Sequence, residues 1–64
     1  MRVYIERADK KSNIRFDGKV FDLLKRLKIN PETVVVVKNN KVVTQEEELS
    51  NKDNVELLSV ISGG

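Results

Sequence analysis

The sequence predicts an α+β domain: a mixed sheet of four to five strands with one main helix packed on one face. Three observations carry this expectation. A single apolar stripe at helical spacing (Val20, Leu23, Leu24 and Leu27) is flanked on both sides by alternating or β-branched runs. A chain of 64 residues makes one small domain, and one face of a sheet is the only apolar surface against which that stripe can be buried.

The elements follow in chain order. Met1, Val3 and Ile5 alternate with Arg2, Tyr4 and Glu6, the period of a half-buried strand. The polar stretch Asp9-Lys10-Lys11-Ser12-Asn13 reads as a turn, and Ile14-Arg15-Phe16 as the returning strand, closed by Asp17-Gly18. From Lys19 the period becomes helical, with Asp22 near the start and Lys25, Arg26 and Lys28 near the end, as the helix dipole favours. Phe21 lies off the stripe and covers the helix flank. Pro31 cannot continue the helix and disfavours helical geometry at Asn30.

Val34-Val35-Val36-Val37 is a β-branched run suited to a central strand. Asn39-Asn40, between Lys38 and Lys41 and followed by Val42-Val43, predicts a tight type I′ hairpin, because asparagine tolerates positive φ. Gln45 to Leu49 reads as one helical turn with Leu49 as an inward plug. Asn51-Lys52-Asp53-Asn54 is a loop before the final strand, Val55 to Ile61. The expected organisation is a domain over 1–61 with a flexible tail, Ser62-Gly63-Gly64.

Composition narrows the chemistry. With no Cys and no His there is no thiolate nucleophile, no side chain that titrates near neutrality unperturbed, and no soft metal site. Glu46-Glu47-Glu48 reads as a solvated acidic face, so no metal and no intrinsic catalysis are expected. Twelve basic against ten acidic residues give a net charge of +2, interleaved along the chain with only Tyr4, Phe16 and Phe21 aromatic. Nucleic-acid binding would call for a denser basic stripe with stacking residues. No run approaches a membrane span and no signal-peptide pattern opens the chain. The expectation is a monomeric cytoplasmic protein.

Alternation also assigns faces. If Val55 and Leu57 face the helix, Leu58 faces away. By the same rule Val34 and Val36 face in, Val35 and Val37 face out, and Tyr4 lies on the outer face of the first strand. Tyr4, Val35, Val37 and Leu58 then form an exposed apolar patch, and contiguous patches of this kind mark docking sites.

The chain ends Ser62-Gly63-Gly64, directly after the last strand. At an average glycine usage of roughly 7%, two glycines end a chain by chance in only about 0.5% of cases. Two glycines make a narrow, Cβ-free tip that can enter a tight channel and present a terminal carboxylate there. That carboxylate has a pKa near 3.5, so at neutral pH it is a poor electrophile until activated, most simply as a mixed anhydride with AMP. Sulfide, a Cys thiol or a Lys amine can then displace AMP. The chain has no sulfur nucleophile of its own, so it is the acyl group being passed.

The strand order, the stripe followed by Ile29-Asn30-Pro31-Glu32, and the ending Val55-Glu56-Leu57-Leu58-Ser59-Val60-Ile61-Ser62-Gly63-Gly64 resemble the ubiquitin-like sulfur-carrier family. That family spans the carriers of thiamin synthesis, the small subunits of molybdopterin synthase, the archaeal small modifiers and the carriers of tRNA thiolation. The ending looks closer to the thiamin-type carriers than to the molybdopterin type, which has prolines before the tail. Arg7 to Ser12 is a longer polar first turn than thiamin-type chains usually have, and Lys28 sits where many members have Gly. Both departures leave an archaeal-type modifier or a tRNA-thiolation carrier open.

The resemblance implies a β-grasp fold whose C-terminal glycine is adenylated by an E1-like enzyme and converted to a thiocarboxylate. By position, Gly64 is then the activated residue and Gly63 its channel partner. Val60, Ile61 and Ser62 line the path in, and Leu58 and Val37 contribute to the docking face. The implied partners are an E1-like adenylating enzyme (ThiF- or MoeB-like), which supplies ATP and Mg, a sulfur donor enzyme, and a sulfur-accepting synthase or thiolase. Conjugation of Gly64 to target lysines, or a non-catalytic binding module, are the alternatives.

Overall fold

The β-branched and alternating runs assemble around one middle strand. In a computed structural model that describes residues 1–60, five strands form a sheet: β1 (Arg2–Ile5), β2 (Lys10–Asn13), β4 (Val34–Lys38), β5 (Lys41–Val43) and β7 (Asn54–Ser59). Two short strands, β3 (Gly18–Lys19) and β6 (Glu48–Leu49), form a separate ribbon. The order in the main sheet is β2-β1-β7-β4-β5, with β1 and β7 parallel and the other pairs antiparallel. Among the described residues the single α-helix, α1 (Val20–Arg26), lies on one face. This is the mixed sheet with one covering helix that the sequence predicts.

The core is where the helix stripe meets the inner face. Val20, Leu23 and Leu24 of α1 are fully buried with Val3, Val55 and Leu57 of the sheet, and burying such a side chain stabilises by about 1.5–3 kcal/mol each. Leu27, Ile14, Phe16 and Val34 are partly buried around them. Leu49 is buried as an inward plug. The α1 terminus is a Schellman motif: the Ile29 N–H donates to the Leu24 carbonyl at 2.9 Å and the Lys28 N–H to the Lys25 carbonyl at 3.1 Å. Lys28 therefore takes the left-handed conformation, φ 59. Asn39 and Asn40 both have positive φ, 50 and 70, the geometry of the expected type I′ hairpin.

Three local expectations are corrected. The first turn is not 9–13 but a 3-10 turn, Glu6–Ala8, closed by Asp9 at φ 47, and Lys10–Asn13 is itself the returning strand. An edge strand whose side chains are mostly exposed has no apolar alternation to announce it; β2 is held by its backbone ladder to β1. Ile14 and Phe16 follow it and pack onto the core. Gln45 to Leu49 is not a helical turn. A turn at Gln45-Glu46 leads into β6, which pairs with β3, while the Glu47 and Gln45 carbonyls accept from the Val20 and Phe21 N–H groups at 2.9 and 3.0 Å. Those contacts satisfy the first donors of α1, whose N-cap residue Lys19 offers no side-chain bond. The final strand is assigned as Asn54–Ser59 rather than beginning at Val55 and running to Ile61; Ile61 lies outside the described residues.

Polar contacts tie the loops to this frame. The Met1 ammonium and the Phe16 N–H both donate to Asn51 Oδ1, and the Asn51 N–H donates to Asp17 Oδ1. Gly18, next in chain, has φ 155, and a Cβ there would stand 3.0 Å from the Phe16 ring. Lys38 Nζ donates to Glu47 Oε2 at 3.0 Å and to the Glu48 carbonyl at 2.9 Å, binding the β5–β6 segment to β4. Among the described residues no helix is long and apolar enough to cross a membrane.

Candidate functional site

The strand that leads to the chain end is the middle strand of the sheet. β7 is paired on one side with β1 and on the other with β4, so its path is set by two ladders. Val55 and Leu57 point into the core, which puts Glu56 and Leu58 on the outer face. The ladders add the neighbours. Val35 stands opposite Leu58, and Tyr4, Glu56, Val37 and Val42 form one row across four strands.

The four residues expected in the patch are thus all on the outer face, but they do not form one exposed surface. Val37 is only 9% exposed, between its row partners Glu56 and Val42, and lies outside the core cluster. Tyr4, Val35 and Leu58 are half-buried. Glu56 separates Tyr4 from Val37 in the row, so a carboxylate interrupts the apolar run. Val42 supplies the most exposed apolar side chain of this face, at 73%. The sequence reading missed it, although the Asn39-Asn40 hairpin register, with Lys38 opposite Lys41, places Val42 beside Val37. Val60 follows β7 and is 42% exposed.

Electrostatics on this face centre on Tyr4. Its hydroxyl donates to Asp9 Oδ1 at 3.1 Å, and that bond raises its pKa above 10.0, with some desolvation and the charges of Asp9, Glu6 and Glu56 adding to it. At the other end of the sheet, Asp53 accepts from the Ser50 N–H at 2.7 Å and from the Asn39 amide at 3.0 Å. The Ser50 bond first, then Asn39 and the nearby Lys38 charge, hold the Asp53 carboxyl below its ordinary 3.8. Lys38 is raised above 10.5, chiefly by its bond to Glu47. These bonds tie the turns to the sheet.

The root of the chain end is bonded on both sides. The Val60 N–H donates to the Thr33 carbonyl at 2.9 Å, and the Ser59 N–H to Glu6 Oε1 at 2.9 Å. The remaining predicted site residues, Ile61, Ser62, Gly63 and Gly64, lie outside the described residues.

A helix-covered β-grasp sheet whose middle strand leads into Ser-Gly-Gly defines a small ubiquitin-like carrier. Comparison with known proteins gives the family. The chain belongs to the ThiS family, whose model matches residues 3–64. It is 37% identical over 65 residues to the sulfur carrier protein TtuB of Thermus thermophilus, covering 100% of both chains. The crystal structure of the thiamine biosynthesis protein ThiS from Geobacter metallireducens superposes with a TM-score of 0.67 at 27% identity, covering 100% of each chain. The solution structure of a thiamine biosynthesis protein from the same organism gives a TM-score of 0.61 at 26% identity, over 100% of this chain and 88% of that one. The protein is a sulfur carrier, and carriers of this family are not catalysts.

Proposed function

We propose that this chain carries sulfur as a thiocarboxylate on Gly64, formed after an E1-like enzyme adenylates that residue. The observation that supports this most is the placement of β7: the middle strand of the sheet leads to the terminal glycines and is hydrogen-bonded on both sides up to Val60. The four residues that follow Val60 span at most about 14 Å when extended, which sets how close to a partner's active site the sheet must dock. In this reading residues 1–61 are the docked domain and 62–64 the tail that enters the partner.

The chemistry follows from the carboxylate. One oxygen of Gly64 attacks the α-phosphorus of ATP and pyrophosphate leaves, giving the acyl adenylate. Sulfide sulfur delivered by a donor enzyme attacks the acyl carbon and AMP leaves, giving the thiocarboxylate. ATP and Mg belong to the activating enzyme (ThiF- or MoeB-like), and the chain binds no cofactor itself. Val42, Leu58, Val35 and Tyr4 on the outer face form the docking surface, with the largely covered Val37 beside Val42. The sulfur-accepting synthase or thiolase uses the same tail, and the ATP-dependent step places the protein in the cytoplasm. Which acceptor docks decides whether the sulfur goes to a thiazole, a dithiolene or a tRNA base.

Intact-mass analysis tests this. After incubation with the E1-like enzyme, Mg-ATP and a sulfur donor, the chain should gain the mass of one oxygen replaced by sulfur. A chain lacking Gly63-Gly64 should fold and stay unmodified. An unmodified full chain under the same conditions overturns the reading. Gly-Gly remnants on lysines of other proteins would instead make it a protein modifier.

A further inference from the structure

We propose that Glu6 is a positioning residue for the tail: its carboxylate completes the last rung on one side of β7 and sets the direction in which the chain leaves the sheet. What that direction serves rests on the sulfur-carrier reading; the rung itself rests on geometry.

Along β7 the N–H groups point alternately to β4 and to β1. The Val60 N–H goes to the β4 side, where the Thr33 carbonyl accepts it. The Ser59 N–H goes to the other side, but β1 ends at Ile5, opposite Leu57. Had β1 continued, its next backbone carbonyl would have taken the Ser59 N–H. Instead the chain turns away and the Glu6 carbonyl accepts from the Asp9 N–H at 3.0 Å. The Glu6 side chain fills the gap, with Oε1 2.9 Å from the Ser59 nitrogen. A strand end left with an unpaired donor frays, and this one does not need to.

The opposite side is held by the main chain. The Thr33 N–H and hydroxyl both donate to the Asn30 carbonyl, at 3.0 and 2.7 Å, while Asn30 Oδ1 accepts from the Glu32 N–H at 3.0 Å. That turn aims the Thr33 carbonyl at Val60. The tail root is therefore gripped by a carbonyl on one side and a carboxylate on the other. Only the carboxylate is a side chain, so only that half can be removed by substitution. Without it the root is held along the β4 edge alone, so Ser59 and Val60 can pivot about that edge and the tail leaves the sheet in a wider cone. A loosely placed reacting group loses much of the rate that positioning supplies.

The test compares Glu6→Ala and Glu6→Gln with the full wild-type chain, by amide exchange and by adenylation with the E1-like enzyme. In Glu6→Ala the Ser59 amide should exchange about tenfold faster. The kcat for adenylation should fall about 3–10-fold with KM within twofold, because the outer face that docks is untouched. The melting temperature of Glu6→Ala should fall by about 5–10 °C, as loss of one such bond in a chain this small requires. Glu6→Gln should recover most of the exchange protection and kcat, since its amide Oε1 still accepts the Ser59 N–H, though less strongly than the carboxylate. Unchanged Ser59 exchange in Glu6→Ala overturns the proposal, as does faster exchange with unchanged kcat, or a Glu6→Gln chain as impaired as Glu6→Ala. A wild-type chain that the enzyme does not adenylate overturns the proposed function instead, and amide exchange still decides whether Glu6 holds the root.

Discussion

Replacing Lys28 with Gly should stabilise the domain. Lys28 is the residue just past α1, held at φ 59 by the paired bonds from Ile29 to Leu24 and from Lys28 to Lys25. A side chain with a Cβ in that region costs about 1–2 kcal/mol. Glycine removes this strain but loses more backbone freedom on folding, about 0.5–1 kcal/mol. The net gain is about 0.5–1 kcal/mol. For 64 residues the unfolding entropy is about 0.13 kcal/mol/K, so the melting temperature should rise by about 4–7 °C. Lys28 also places a positive charge at the negative end of α1, worth about 0.3 kcal/mol, and its loss in the Gly variant trims the expected rise to about 2–5 °C. Lys28→Ala removes the same charge while keeping the Cβ, so the difference between the Gly and Ala variants isolates the backbone strain. Thermal unfolding by circular dichroism at low and moderate salt measures it. A Gly variant no more stable than the Ala variant refutes the argument that the Schellman turn strains Lys28.

Other expectations follow from the same structure. Asp53→Asn weakens the bonds to Ser50 and Asn39 and should cost about 1 kcal/mol at pH 7. Because the folded carboxyl titrates below its ordinary 3.8, its contribution is present above that pH and lost as pH falls through the lower folded value; urea unfolding of both chains should converge in that acid range. Val42→Glu puts a charge on the most exposed apolar residue of the outer face; the melting temperature should change little, while KM for the activating enzyme rises about tenfold and kcat stays. An unchanged KM removes Val42 from the docking surface. Deleting Ser62 keeps the glycine pair but retracts the carboxylate by about 3.4 Å, and adenylation should fall by about 10²-fold or more with the same melting temperature. Full activity after that deletion would mean that reach is not limiting.

Much of this molecule is legible from local pattern. The stripe Val20, Leu23, Leu24 and Leu27 reports its helix because each of those residues is buried or half-buried at helical spacing. The Asn39-Asn40 turn reports its hairpin because two adjacent positive-φ residues suit few other structures. The alternation of Val55, Leu57 and Leu58 sorts core from outer face for the same reason. Lys10–Asn13 is illegible as a strand because an edge strand can be held by its backbone alone, and its side chains carry no periodic burial. The β3–β6 ribbon is illegible because two residues on each side are too short to show a period.

By itself the sequence determined the helix stripe, the tight hairpin, the inward and outward sides of the last strand, and a glycine tail with no sulfur chemistry of its own. Tertiary structure alone decided that β7 lies between β1 and β4, that Glu56 divides the outer face, and that Glu6 reaches Ser59, 53 residues away in the chain. The reason is physical. Periodicity records how much of each side chain is buried, whereas strand order and long-range side-chain hydrogen bonds depend on which segments meet in space, and no local pattern encodes that meeting.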